Sequence, residues 1–231
     1  MSKILITSAS TRLARRLASD LAGDHDVRLT DRSPVPDASD FTRCGLGHDE
    51  NTNDLVRGAD VIIHSGWVDQ SDSVSDQLDA AMCRTYNLLQ AATDESVPRL
   101  IFLSSLALMG GYDENFAVTE KWRPVPTTET ANLCYHLGEF VCKEFARERR
   151  LEVVCLRLGE FVWDEAPAST SALYPDDATN AVRKSLTADV SEGYAGSISA
   201  WNVFHIQSAV PDARFLTATA NRQLGYEPAS R

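Results

Sequence analysis

Three side chains in the middle of the chain are of types that could perform acid/base chemistry on a small molecule. They are the hydroxyl of Ser105, the phenol of Tyr135 and the imidazole of His136. A tyrosine has an unperturbed pKa of about 10, so Tyr135 exchanges protons near neutral pH only if its surroundings stabilise the phenolate by about 4 kcal/mol. Acid/base action of Tyr135 with Ser105 would suit isomerisation, dehydration or ring closure of a small polyhydroxylated or polyketide-like substrate.

The elements that must position these side chains follow from the alternation of short apolar runs with helical periodicity. We predict strands at Ile4–Ile6, Val27–Leu29, Asp60–His64, Leu100–Leu103, Glu152–Leu158 and Ala200–Ile206, and helices at Leu13–Leu21, Gln77–Thr93, Thr130–Arg149 and Ala178–Leu186, with a last short helix that ends at Leu224. Strands that are apolar throughout are typical of a parallel sheet covered by helices on both faces. The predicted fold class is therefore α/β, a Rossmann-like doubly wound parallel sheet.

This arrangement places the candidate residues together. Ligands of such sheets bind at the carboxyl ends of the strands, and Ser105 follows one strand while Tyr135 and His136 lie on the next helix. The length of 231 residues predicts a single domain, with about 160–231 contributing the small elements on the substrate side. The Pro-, Asp- and Ser-containing segments 33–40, 113–129 and 164–177 are expected to be loops.

Composition narrows the partners. The chain is 43% hydrophobic and 24% charged, and its formal net charge is -11. A surface this acidic repels phosphate, so we expect neither nucleic acid nor an anionic membrane as a partner. The first residues are too polar for a signal peptide, which predicts a cytoplasmic protein. The five cysteines and five histidines fit no metal-ligand spacing, and reduced, mostly buried thiols are expected.

Several segments together resemble the extended short-chain dehydrogenase/reductase family, the NAD-dependent epimerases and dehydratases. They are KILIT at the start, DVIIH at 60–64, TYNLLQAA at 85–92, RLIFLSS at 99–105, LEVVCLRLG at 151–159 and LGYEP at 224–228. These segments occur in the family's order and at its spacing. The NRQLGYEP ending looks most like the uronate dehydrogenase branch.

The resemblance implies a cofactor site whose motif is altered here. The family's first turn reads TGxxGxxG, which lets the backbone reach a pyrophosphate, and its three glycine positions hold Ser8, Thr11 and Ala14. The side chains of Ser8 and Thr11 would meet the phosphates at a cost of about 1–3 kcal/mol, and a β-branched residue resists the positive φ that glycine can adopt. Arg12 would offset some of that cost by attracting an anion, although a solvated position on the helix surface is the commoner role.

The other positions of that implied site match the family only in part. Asp31, with Arg32 beside it at the end of the second strand, stands where the family's carboxylate binds the adenosine ribose and favours NAD over NADP. Gly45 falls where the family has an acidic residue near the adenine, and Trp67 where it has a small residue. The candidate cofactor-binding residues are thus Ser8, Thr11, Arg12, Asp31 and Arg32. The cofactor is unknown, with NAD expected only if the site survives its glycine losses.

The resemblance also implies an Asn–Ser–Tyr–Lys catalytic set, of which only Ser105 is retained. The asparagine position holds Ala81. The Gly-Glu pair that ends at Glu139 fixes the register of the Tyr-x-x-x-Lys motif, so tyrosine falls on Ala131 and lysine on Tyr135. A rival register makes Tyr135 the tyrosine and Glu139 the lysine, but a carboxylate would raise the pKa of a phenol further. Either register lacks the pair.

Three readings of the function follow from these losses. Two of them share the favoured view, an atypical family member that has lost NAD(P)-dependent redox catalysis: it binds a small ligand or a protein partner, or it performs non-redox acid/base chemistry in the old cleft. The third is an NAD-dependent oxidoreductase, epimerase or dehydratase that acts on a sugar-like substrate with unusual motifs. An open cleft would favour an enzyme or sensor; a cleft closed by Trp67 and loop 113–129 would favour a scaffold.

A dimer is expected from the same resemblance. Family members pair through two long helices, which correspond here to 77–93 and 130–149. The partner would be a second copy or an active relative. Apolar residues at four-residue spacing follow the second helix, and they suit either an interface or the core-facing side. They are Leu133, Leu137, Val141 and Phe145.

Overall fold

One parallel sheet dominates the computed structural model, which describes residues 1–36, 38, 40–164, 169–190 and 200–229. Within these ranges the strands are β1 (Lys3–Ile6), β2 (Asp26–Asp31), β3 (Phe41–Arg43), β4 (Val61–Ser65), β5 (Arg99–Ser105), β6 (Glu152–Leu158), β7 (Glu160–Phe161), β8 (Ala172–Leu173) and β9 (Trp201–Ile206). Seven of them form the sheet in the order β3-β2-β1-β4-β5-β6-β9, while β7 pairs with β8. All neighbouring strands are parallel.

Helices connect the strands and cover the sheet. In the described part of the chain they are α1 (Arg12–Leu21), α2 (Glu50–Val56), α3 (Val74–Asp79), α4 (Thr85–Asp94), α5 (Thr130–Arg147), α6 (Pro175–Ser185) and α7 (Ala218–Leu224). A π-helical turn, Ala80–Arg84, joins α3 to α4, and a 3-10 turn, Leu106–Met109, follows β5. None of the helices in these ranges has the length and apolar character needed to cross a membrane.

Both faces of the sheet are buried, and the pleat of β1 shows how. Ile4 and Ile6 belong to the core cluster that contains α1 and α6, whereas Leu5 belongs to the cluster that contains α2, α4 and α5. Successive side chains of a strand point to opposite faces, so an apolar run such as Ile4-Leu5-Ile6 is stable only when helices cover both. The predicted doubly wound α/β fold is confirmed.

Most predicted elements are present, and the errors have local causes. The prediction of a loop over 164–177 is wrong in its described part, because β8 lies inside it and α6 already begins at Pro175. Residues 165–168 of that loop, and 37 and 39 of the predicted loop 33–40, lie outside the described residues. Proline suits the first position of a helix, where its missing N–H has no partner to lose. The sequence reading missed β3, which has three residues that are mostly exposed, and α2, whose N-cap Asp49 accepts a hydrogen bond from the Thr52 N–H at 3.2 Å.

The sheet order fixes where a site can form. β1 lies between β2 and β4. After β1 the chain adds β2 and β3 on one side of it, and then returns to add β4 on the other side. A crevice opens at such a switch point, outside the carboxyl ends of the strands. The turn after β1, Trp67 after β4 and Ser105 at the end of β5 all lie at this edge.

Candidate functional site

In the turn after β1, Ser8 adopts a backbone conformation that is usually found for glycine. Ser8 has a φ of 56°, in the left-handed region that costs an L-residue roughly 1–2 kcal/mol. Its carbonyl accepts a hydrogen bond from the Thr11 N–H at 2.9 Å, and the following Ala9 N–H donates to the Thr30 carbonyl at 3.1 Å. The turn is therefore held in place by β2 and by its own backbone, and Ser8 bears the strain.

Thr11 caps helix α1 and carries no such strain. Its φ is -77°, so the expected conflict between a β-branched residue and a positive φ does not arise there. The Thr11 hydroxyl accepts a hydrogen bond from the Ala14 N–H at 3.2 Å and donates one to the Ser8 carbonyl at 2.8 Å. One of the N–H groups that a helix N-terminus offers to an anion is thus satisfied within the protein.

A cavity of about 180 Å³, here called the β2-side cavity, lies beside the end of β2. Asp31 lines it, and its two carboxylate oxygens accept hydrogen bonds from the Ser10 N–H at 2.9 Å and the Ser33 N–H at 3.2 Å. Arg32 also lines it and is paired with the carboxylate of Asp72 at 2.5 Å, which raises the pKa of Arg32. Both predicted residues therefore face the same space, and both already have partners.

A second cavity of about 430 Å³, the β6-side cavity, lies at the ends of β5 and β6. Ser105 and Tyr135 both line it, so the structure brings these two predicted residues together. The Ser105 hydroxyl accepts a hydrogen bond from the Ala107 N–H at 3.1 Å. Tyr135 packs beside Gly66, where an added Cβ would lie 2.9 Å from the phenol ring. Its hydroxyl makes no hydrogen bond to any residue that the structure describes.

Burial makes Tyr135 a weaker acid. Loss of hydration disfavours the phenolate and, with the neighbouring Cys134 and Glu129, raises the pKa of Tyr135 to about 12. Proton transfer near neutral pH needs the opposite shift. The lysines that could supply it all lie in described segments, and none of them lines either cavity: Lys3, Lys121, Lys143 and Lys184.

Glu139 is occupied elsewhere, so it cannot serve as a partner of Tyr135. Its carboxylate makes a two-pronged ion pair with Arg157, at 2.8 and 2.7 Å, and accepts a hydrogen bond from the Ser104 hydroxyl at 2.7 Å. Both members of the pair are buried. Glu139 thus ties α5 to β5 and β6 and does not line the cavity, so it does not take the place of a lysine beside Tyr135.

The two alanines that the resemblance places at catalytic positions make structural contacts. Ala81 lies in the π-helical turn and packs with Val68 and Cys134 in a small buried cluster. Ala131 is the second residue of α5, where its N–H donates to the Glu129 carboxylate at 3.1 Å. No amide or phenol reaches the cavity from these two sites. π-helical turns are frequent at functional sites, and here the turn remains although its residue is alanine.

The structure does not bring His136 to the cleft. One residue after Tyr135 on α5, it lines neither cavity, and its Nδ1 is buried with no hydrogen-bond partner in the described ranges. Two polar residues of the loop after β5, Tyr112 and Asp113, line neither cavity: Arg214 donates hydrogen bonds to their carbonyls, and Tyr112 packs on Trp122 at 4.6 Å. The predicted role of His136 therefore has no geometric support.

The sequence reading missed a group around Arg12. The Arg12 guanidinium lies 4.5 Å from the centre of the Trp163 ring and binds the Asp164 carboxylate at 3.2 and 3.3 Å. Trp163 in turn stacks on Phe161 at 5.1 Å with an interplanar angle of 14°. Arg12, Phe161 and Trp163 line the β6-side cavity. The only signal in the sequence was the pair of aromatic residues two apart just after β6.

Trp67 stands at the boundary of the two cavities. It lines both, together with Ser10 and Ser65, and 40% of its surface is exposed. Among the described residues, none between 113 and 129 lines either cavity. The cleft is therefore narrowed by Trp67 but not covered by the loop, which favours an enzyme or a ligand sensor over a scaffold.

Comparison with known proteins agrees with this fold and cleft. The chain belongs to the NAD dependent epimerase/dehydratase family, whose profile matches residues 4–162. Within it, the chain is 30% identical to uronate dehydrogenase of Pseudomonas putida over 164 residues, which are 68% of this chain and 60% of that protein. The Pseudomonas syringae pv. tomato uronate dehydrogenase is 27% identical over 162 residues. The match thus spans about 60% of the length of these relatives, and the resemblance predicted from sequence is confirmed.

Solved structures show the same fold. Uronate dehydrogenase from Agrobacterium tumefaciens matches with a TM-score of 0.83 at 23% identity, covering 100% of this chain and 85% of that one. A tyrosine-to-alanine mutant of that enzyme, complexed with NAD, matches equally well. Glucuronic acid dehydrogenase from Chromohalobacter salexigens has a TM-score of 0.83 at 22% identity, with 99% and 85% covered.

Proposed function

We propose that this protein binds a small ligand in the cleft at the carboxyl ends of its strands and does not perform hydride transfer to or from a nicotinamide cofactor. One observation carries the proposal. The β6-side cavity holds Ser105 and Tyr135, yet no lysine lines it and burial raises the pKa of Tyr135 to about 12. A cavity of about 430 Å³ lies in the size range of small-molecule sites.

The residues present do not fit the whole dinucleotide. Asp31 is suitably placed for a ribose, and Ser8 keeps the turn. Thr11, however, places a side chain at the start of α1 that binds the Ala14 N–H, and Trp67 lies between the two cavities. The β2-side cavity, at about 180 Å³, is also below the usual 300–1,000 Å³ of ligand sites. The proposed function therefore includes no chemistry of NAD.

Ser105 and Tyr135 then serve as hydrogen-bonding groups for the ligand. A phenol with a pKa of about 12 stays protonated at neutral pH and donates a hydrogen bond well, but it transfers a proton slowly. The geometry supports binding more directly than acid/base turnover. If the cleft does catalyse a non-redox reaction, Tyr135 is its proton donor and Ser105 orients the substrate.

The second candidate is an NAD-dependent oxidoreductase, epimerase or dehydratase acting on a sugar acid. Two observations favour it: Asp31 at the end of β2, and the uronate dehydrogenases among the similar proteins. The tyrosine-to-alanine mutant complexed with NAD adds that loss of one tyrosine is compatible with cofactor binding in that enzyme. This candidate requires a proton acceptor other than a Tyr/Lys pair.

A turnover assay separates the two. The protein is incubated with NAD⁺ and D-glucuronate or D-galacturonate, and NADH is followed by its near-ultraviolet absorbance. We expect no NADH above the rate of the Ser105→Ala/Tyr135→Phe double variant. NADH production that the double variant loses would establish the second candidate and refute the first.

We also propose that the protein pairs with a second copy of itself through α4 and α5. Met82, Tyr86 and Phe140 are exposed by 38%, 46% and 53%, and they line one groove between these helices. Val141 and Phe145, from the predicted apolar stripe, are buried members of the core cluster and also line this groove. An exposed apolar groove of this kind is typical of a protein interface.

A further inference from the structure

Aromatic side chains dominate the lining of the β6-side cavity. Four aromatic rings line it, those of Trp67, Tyr135, Phe161 and Trp163, and among the residues that the structure describes Arg12 is the only lysine or arginine there. Aromatic walls favour a flat apolar ring, because such rings pack in offset or edge-to-face arrangements. A guanidinium favours a planar anion that accepts two hydrogen bonds.

The present partner of Arg12 is easily exchanged. Asp164 is 81% exposed and Arg12 56%, and their two contacts are 3.2 and 3.3 Å long. Solvent-exposed ion pairs of this kind contribute little, since water competes for both groups. The Trp163 ring, by contrast, lies against the guanidinium at 4.5 Å and is backed by Phe161. Arg12 is thus held at the cavity by an indole while its hydrogen bonds remain open to exchange.

Building on the proposed function of this cleft, we propose that the β6-side cavity binds a small aromatic carboxylate. The ligand's carboxylate takes the place of Asp164 on Arg12, and its ring packs among the aromatic side chains of the cavity. Ser10 and Thr11 line the cavity next to Arg12 in the sequence and can contact the same anion, and Ser105 and Tyr135 can bind a polar ring substituent. Arg12 is the residue that selects for negative charge.

The test is a calorimetric titration of the full chain with benzoate, benzamide and D-glucuronate. Benzamide has the same ring without the charge, and D-glucuronate has the charge without an aromatic ring. We expect benzoate to bind with a dissociation constant of about 1 mM or lower, and each of the other two at least about tenfold more weakly.

Three variants assign the carboxylate to Arg12. Arg12→Gln should weaken benzoate about tenfold or more, because a charge-assisted bidentate contact is lost. Asp164→Asn should strengthen it about two- to fivefold, because the competing carboxylate is gone. Arg16→Gln is the matched control on the same helix; Arg16 pairs with Asp20 and Asp176, does not line the cavity, and should leave benzoate binding unchanged.

Each other outcome overturns a definite part of the proposal. Absence of benzoate binding overturns it entirely, and equal binding of benzamide overturns the role of Arg12. Tighter binding of D-glucuronate than of benzoate overturns the aromatic class. NADH formation from NAD⁺ and D-glucuronate would refute the proposed function instead, and it is measured independently of benzoate binding, so the two failures are distinguishable.

Discussion

At the scale of single residues, Ser8 holds a backbone conformation that usually requires glycine. Ser8 adopts a φ of 56° where the family has glycine, while Thr11 caps α1 at a φ of -77°. The sequence could predict which glycines are missing. It could not predict that the strain falls on Ser8 alone, because that depends on how the turn bonds to β2.

Ser8→Gly should therefore stabilise the protein. Glycine removes the left-handed strain of roughly 1–2 kcal/mol but adds about 0.5–1 kcal/mol of backbone entropy to the unfolded chain. The net gain is about 0.5–1 kcal/mol, measurable from the urea midpoint. The control is Ser10→Gly, two residues further on, because Ser10 does not have a positive φ. This substitution should destabilise the protein by about 0.5–1 kcal/mol. A loss of stability in Ser8→Gly equal to the control's would disprove the strain.

The buried imidazole of His64 makes the stability of the fold depend on pH. It is buried between β1 and α4, where its ring nitrogens contact the hydroxyls of Thr7 at 2.8 Å and Thr85 at 3.0 Å. Burial lowers the pKa of His64 to about 4, against about 6.5 when unfolded. The unfolded chain thus binds the proton more readily, so stability is full above pH 6.5 and falls as the pH drops towards 4.

Within that window His64 should change the free energy of unfolding by up to about 1.4 kcal/mol per pH unit. Urea unfolding at pH 7, 6, 5 and 4.5 measures the slope, which should be smaller by about that amount in His64→Gln. His48 is exposed, and His48→Gln should leave the slope as it is. Equal slopes in the wild type and His64→Gln would contradict the assigned burial.

At the scale of elements, neighbouring positions on one face of α5 make two different contacts. Tyr135 points to the β6-side cavity, while Glu139, one turn later, enters the buried ion pair with Arg157. Sequence periodicity predicted the helix, and the resemblance to the family implied the register of its motif. It left open whether Glu139 served catalysis or structure, because the partner on β6 is distant in sequence.

Glu139→Gln should destabilise the fold by about 3–5 kcal/mol, because it leaves Arg157 as a buried charge without a full partner. Glu144→Gln is the matched control on the same helix. Glu144 pairs with Arg147 at the surface, so its loss should cost about 0–1 kcal/mol. Chemical unfolding of both variants measures the difference, and similar costs would show that the buried pair has no special weight.

Short elements were the least predictable. β3 and β8 have three and two residues, and each is defined by its neighbour strand rather than by its own sequence. The cavity lining around Arg12 was missed for the same reason. Arg12 and Trp163 are far apart in the chain, and only the packing of α1 beside the segment after β7 brings them together.

At the scale of the whole molecule, the α4/α5 groove predicts a dimer. Gel filtration with light scattering should give twice the monomer mass for the wild type and the monomer mass for Phe140→Glu, since a charge in an apolar interface is costly. Phe116→Glu is the control, because Phe116 is equally exposed, at 52% against 53%, but lies outside the groove. A monomeric wild type would refute the dimer.

The described part of the chain combines a seven-stranded parallel sheet with a cleft that no lysine lines. The sheet follows from apolar runs that are buried on both faces, so it could be predicted from the sequence. The content of the cleft could not, because it depends on which side chains from distant segments meet at the strand ends. Tyr135 and Ser105 do meet there, and His136 does not.

The most direct test of this account is calorimetric titration of the purified protein with NAD⁺, NADH, NADP⁺ and NADPH. We expect no binding heat at concentrations up to about 1 mM, because the Thr11 hydroxyl already binds an N–H of α1 and Trp67 lies between the two cavities. Binding of NAD⁺ or NADH with a dissociation constant of about 1 μM would contradict it and would establish a working cofactor site.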